Sequence, residues 1–147
     1  MLIGDTETLT ATTVPASATV TWTTSNSSIA DVTAGVISAE GEGTATITAS
    51  ITVDGVTKTA TCAVTVTEPS VELSSASESI AVEGTVTLTA TTIPANAEVT
   101  WSSTDDGVAS VVSGVVTGES AGTATITATI TVNEIDYTDT CEVTVTA

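Results

Sequence analysis

The chain is a duplication. Trp22 and Trp101 lie 79 positions apart, and the same offset relates Cys62 to Cys141, Pro15 to Pro94, Gly35 to Gly114 and Gly43 to Gly122. The run GTATITA occurs verbatim at 43–49 and again at 122–128. A fixed internal period marks a structural unit copied in tandem, each copy burying a core of its own. In 147 residues that leaves each unit room for a modest core only. Such a pair is not built to assemble one catalytic cleft from both halves.

Within each unit the apolar residues alternate with polar ones. Thr8-Leu9-Thr10-Ala11-Thr12 alternates, as does Thr87-Leu88-Thr89-Ala90-Thr91. Thr44 to Ala49 alternates, with Ile51 and Val53 in phase, and Thr61 to Val66 matches Thr140 to Val145. Period two predicts strands with one buried and one wet face. Abundant Thr and Val suit them, because branched side chains fit a pleated surface. No stretch has a helical period. Turn residues fall between the runs: Pro15-Ala16-Ser17, Ser25-Asn26-Ser27, Glu40-Gly41-Glu42, Asp54-Gly55 and their counterparts. Short strands at this spacing predict an all-β antiparallel sandwich for each unit.

Phase assigns the cores. Leu9, Ala11, Val20, Trp22, Ala45, Ile47, Ala49, Cys62, Val64 and Val66 are expected to face inward in the first unit. Leu88, Ala90, Val99, Trp101, Ala124, Ile126, Ala128, Cys141, Val143 and Val145 are their equivalents in the second. Phe is absent, so one Trp per unit supplies the bulk. Trp22 and Cys62 thus share one structural core, and Trp101 and Cys141 the other. With one Cys per unit there is no disulfide framework, and each thiol is expected to act as a small buried hydrophobe.

Eighteen acids stand against a single cation, Lys58, for a net charge of −17. Nucleic acid is excluded as a partner, since phosphate binding needs Lys or Arg to displace counterions. Anionic membrane surfaces are disfavoured for the same reason. The acids are scattered, which fits a solvating surface that discourages edge-to-edge pairing of sheets. No apolar run reaches membrane-spanning length, and residues 1–7 lack the basic and apolar regions of a signal peptide. Export by that route is not expected for the chain as it stands. It leaves the cell another way, such as by host lysis, or it is a piece of a longer protein.

The ordered series Thr8-to-Pro15, Val20-Thr21-Trp22, Gly35-Val36, GTATITA at 43–49 and Thr61-Cys62-Ala63-Val64-Thr65-Val66 resembles the bacterial Ig-like domain of group 2, often called Big2. The second unit carries the same series, including Trp101-Ser102-Ser103 and Gly114-Val115-Val116. The resemblance covers essentially the whole chain. It implies two tandem immunoglobulin-like β-sandwiches, residues 1–67 and 68–147, joined at Thr67-Glu68-Pro69. The short Pro-containing joint is expected to be extended and semi-rigid. The resemblance also implies a scaffold of bacterial surface adhesins and phage structural proteins, with no catalytic residues to carry over.

One departure stands out. The second unit opens with Pro69 to Ser77, the expected first strand, whereas Met1 aligns with Ile80 and the first unit has no counterpart. Residues 1–67 are therefore expected to lack their first strand and to expose an edge. Two explanations remain open: a truncated segment of a longer chain, or a strand supplied by a neighbouring subunit.

Without His, no Ser-His or Cys-His nucleophile pair exists, and Lys58 has no equivalent in the second unit. An enzyme is not expected, and no cofactor is required. Calcium was weighed at Asp105-Asp106-Gly107 and Asp54-Gly55, but no EF-hand spacing is present and Asn26-Ser27 replaces the acids in the first unit. Turn chemistry explains these residues more simply. Binding, if any, is expected on the loops at 25–31 and 104–110, where Asn26, Ser27, Asp105 and Asp106 are candidate ligand contacts for a cell-surface carbohydrate. The function expected is a non-catalytic structural or adhesive display module. The leading reading is an accessory on the virion surface, on phage head or tail, touching other structural subunits. The alternative is a spacer or stalk segment of a bacterial adhesin or secreted protein at the cell surface.

Overall fold

The computed structural model describes residues 1–147. They form two compact units, Met1–Glu68 and Pro69–Ala147. All regular structure is β, and no helix is present.

In the first unit the strands are β1 (Thr6–Thr8), β2 (Thr21–Thr24), β3 (Ala30–Thr33), β4 (Val36–Ala39), β5 (Gly43–Val53) and β6 (Val56–Val66). One sheet has the order β1-β4-β3 and the other β2-β5-β6. The GTATITA run lies in β5 and faces the Cys62 strand, with Ile47 opposite Cys62 and Ala45 opposite Val64. Ala30, Ile37 and Ala39 of one sheet meet Ala45, Ile47, Val64 and Val66 of the other in a single core. Period two supplies these inward faces, so neither sheet leaves its apolar side in water.

Two-residue turns fix the register. Ala34 and Gly35 join β3 to β4 with φ of 51° and 88°, and Asp54 and Gly55 join β5 to β6 with φ of 50° and 78°. Positive φ at both central residues is the hairpin turn whose twist matches that of the flanking strands. Gly35 is held by packing as well. A Cβ there would stand 2.7 Å from the Leu9 carbonyl oxygen and 3.2 Å from Trp22 Cζ2.

The second unit repeats this plan and adds to it. Its strands are β7 (Ser70–Leu73), β8 (Ser77–Ala81), β9 (Thr85–Thr87), β10 (Ala90–Ile93), β11 (Thr100–Ser103), β12 (Ala109–Val112), β13 (Val115–Gly118), β14 (Gly122–Val132) and β15 (Ile135–Thr146). The sheets run β12-β13-β9 and β11-β14-β15-β8, with β10-β7 as a separate pair. The opening segment is used twice: β7 pairs antiparallel with β10, and β8 pairs parallel with β15. That parallel pair departs from the all-antiparallel expectation. It arises because the segment leaves one edge of the sandwich and continues along the other.

The single strand expected at 87–91 is two strands. The chain leaves β9 at Thr87, Leu88 N–H bonds to the Gly114 carbonyl at 2.8 Å, and β10 begins at Ala90 against β7. In the first unit the strand expected at 8–12 ends at Thr8. Leu9 N–H still bonds to the Gly35 carbonyl at 2.8 Å, but no strand pairs with residues 11–14, the equivalents of β10. The cause is local: β10 is a strand through its ladder to β7, and the first unit contains no β7.

If β7 is part of the core, Leu73→Ala is expected to destabilise the second unit by about 2–5 kcal/mol, the range for a buried Leu. Thermal unfolding followed by calorimetry is expected to show one transition lowered and the other unmoved. A second substitution, Trp101→Ala, is expected to remove about 3–5 kcal/mol and to unfold the second unit alone.

Candidate functional site

The inward-facing residues differ between the units in one region only. Cys141, Ile130 and Ala128 are fully buried, while their equivalents Cys62, Ile51 and Ala49 are half-buried. Leu88 is buried and Leu9 is not, and Ala90 is half-buried where Ala11 is exposed. Val14 is 88% exposed against 40% for Ile93. All these pairs surround the place that Val71 and Leu73 of β7 fill in the second unit, where both are buried within the core. Trp22 and Trp101, expected fully inside, are each half-buried and packed against their cores.

In the first unit that place is an open groove. Two adjoining clefts of about 210 Å³ and 260 Å³ run along it. Ile47, Ala49, Trp22 and Cys62 line its apolar part, with residues 11 and 12 along one side and Ala60 along the other. Lys58 and Ile51 stand at its far end. Sequence reasoning foresaw the exposed edge, but not Ile51, Lys58 and Ala60 as its lining. A signal existed in the repeat: Lys58 and Ala60 replace Tyr137 and Asp139. In the second unit Asp139 Oδ2 accepts the Leu73 backbone N–H at 2.7 Å, and Tyr137 packs on the core. The two residues that change are the two that serve β7.

The cysteines follow the same division. Both are free thiols. Burial pushes the Cys141 thiol up from its usual range, and the carboxylates of Glu78 and Asp139 push it further. Cys62 was expected to be enclosed, yet it lies half-buried on the groove wall, because nothing covers that edge of its core.

The candidate ligand loops are occupied with turn geometry. Asn26 Oδ1 accepts the Ser28 N–H at 3.0 Å, and Asp105 Oδ1 accepts the Gly107 N–H at 3.0 Å. These side chains mimic a backbone turn ahead of β3 and β12. Ser27 and Asp106 are exposed at the turn tips. No three His, Cys, Asp or Glu side chains are grouped so as to hold a metal ion. The loops do not bring Asn26 and Ser27 together with Asp105 and Asp106, which belong to separate units.

Two tandem all-β units of immunoglobulin type define the class of protein. The bacterial Ig-like domain (group 2) matches residues 1–64 and, separately, residues 68–145. The chain belongs to that family. Among solved structures, the S-layer protein rSbsC(31-844) is 25% identical over 87% of this chain, with a TM-score of 0.43. The present chain spans only 20% of that protein's length. Domains 4 and 5 of the S-layer protein SbsC are 23% identical over 87% of this chain and 70% of theirs, with a TM-score of 0.44. Human protocadherin-24 EC1-2 is 13% identical over 87% of this chain and 82% of its own, with a TM-score of 0.48. No curated protein sequence matches the chain.

The thiols give a direct check on the site. Cys62 is expected to react with a thiol reagent in the folded protein, and Cys141 only after unfolding. Because its thiol is shifted upward, Cys141 stays protonated at neutral pH, and raising the pH is expected to cost the second unit stability as that thiol ionises. Mass spectrometry after brief native labelling reads the order. Equal rates, or a Cys62–Cys141 bond, would contradict the assignment.

Proposed function

We propose that the chain is a non-catalytic structural and adhesive display module, carried on the surface of a phage particle at head or tail. Membership of the group 2 bacterial Ig-like family across both units is the observation that carries this reading. The residues support it. The chain has no His and one Lys. Its candidate loop side chains Asn26 and Asp105 are engaged in turns. What remains for contact is a Thr-rich, strongly acidic surface and one open edge. An acidic surface repels like-charged surfaces, so any grip on cells or polysaccharide is weak and polar, through loop groups such as Ser27 and Asp106. Its main partners are other structural subunits, and the open edge of residues 1–67 is filled in the working assembly. No metal is needed for this role.

Immunogold electron microscopy with antibodies against the full chain tests the reading. Gold on the heads or tails of purified particles is expected. Gold confined to the bacterial envelope would replace this reading with a spacer or stalk in a surface adhesin. Gold on neither would overturn both.

A further inference from the structure

We infer that the groove of the first unit is a receptor for one extended segment of a partner protein, with apolar side chains at two alternate positions and a polar one between them. The duplication within the chain identifies this occupant. In the second unit the equivalent seat is taken by Ser70-Val71-Glu72-Leu73, with Val71 and Leu73 buried and Glu72 exposed. The ladder there sets Leu73 opposite Ala90, Glu72 opposite Thr91 and Val71 opposite Thr92. By the repeat offset, the partner segment runs antiparallel to residues 11–14, with its second apolar residue opposite Ala11 and its first opposite Thr13. Its two apolar side chains enter the adjoining clefts above Ile47, Ala49 and Cys62.

The ingredients are those of strand addition. The backbone along 11–14 has no ladder partner, which supplies main-chain affinity, and the two clefts supply selection at alternate positions. Electrostatics fits as well. Lys58, the only Lys or Arg in the chain, stands on the groove wall of an otherwise acidic protein. A segment with an acid beside its apolar pair is therefore met by the one positive group available. One feature of the second unit is missing: Ala60 replaces Asp139, so the N–H of the second apolar residue has no carboxylate to bond. Binding in the first unit is correspondingly weaker and reversible, as suits a partner supplied from another chain. The inference rests on the proposal that the open edge is filled in an assembly. Failure of the broader surface role would appear in the immunogold experiment and not in peptide binding.

The test uses the full chain and a synthetic peptide of residues 69–79. Native labelling of Cys62 is the readout, with Trp22 fluorescence as a second. At ten times the peptide's Kd, Cys62 labelling is expected to slow about tenfold, since about a tenth of the grooves stay open. A peptide carrying Val71→Glu and Leu73→Glu is expected to give no protection. In the protein, Ala60→Asp restores the missing acceptor and is expected to tighten binding of the first peptide, a gain that misfolding cannot imitate. No protection by the first peptide at millimolar concentration, equal protection by both peptides, or no gain from Ala60→Asp would overturn the inference. Cys62 already protected in a dimer of the chain without peptide would overturn it too, in favour of a second copy as occupant.

Discussion

The burial of two side chains, Val71 and Leu73, at the edge of a sandwich accounts for most of what distinguishes the halves of this molecule. A sandwich keeps its core dry only if every edge of each inner face is covered. Each of those two residues removes apolar surface worth about 1.5–3 kcal/mol. With β7 in place, Leu88, Ile130, Ala128 and Cys141 are sealed and β10 has a ladder. In the first unit their equivalents line a groove, and residues 11–14 lie outside any strand. The two units share turns, registers and the Trp-over-Gly packing, so the comparison is close to a deletion experiment within one chain.

Much of the fold was legible in the residue order. Period two placed Ala45, Ile47, Val64 and Val66 inside because a strand has no other way to bury one face. The repeat offset located the absent strand without any structure. The switch at Leu88, where the chain leaves β9 for β10, was not legible, since alternation continues unbroken through a change of partner sheet. Nor was the parallel pairing of β8 with β15, because strand direction depends on which edge the opening segment reaches.

The site was legible in outline and hidden in detail. Asn26 and Asp105 attract attention as polar loop residues, yet both side chains are spent on their own turns. Lys58 and Ala60 look like ordinary differences between diverged copies. They acquire meaning only when Tyr137 and Asp139 are seen packing on the core and holding the Leu73 amide. The acidic surface, by contrast, follows from composition alone. It keeps a β-rich chain with an open edge from pairing with copies of itself.

The central claim is that the first sandwich is open along residues 11–14 and the second is closed along 90–93. Amide hydrogen exchange in the intact monomer measures this with no substitution. The account requires the ladder-bonded amides of residues 90–93 to exchange slowly, near the rate of global opening, and those of 11–14 to exchange quickly. Equal, strong protection of both segments in the monomer would mean that the first unit closes its own edge, and would contradict the account.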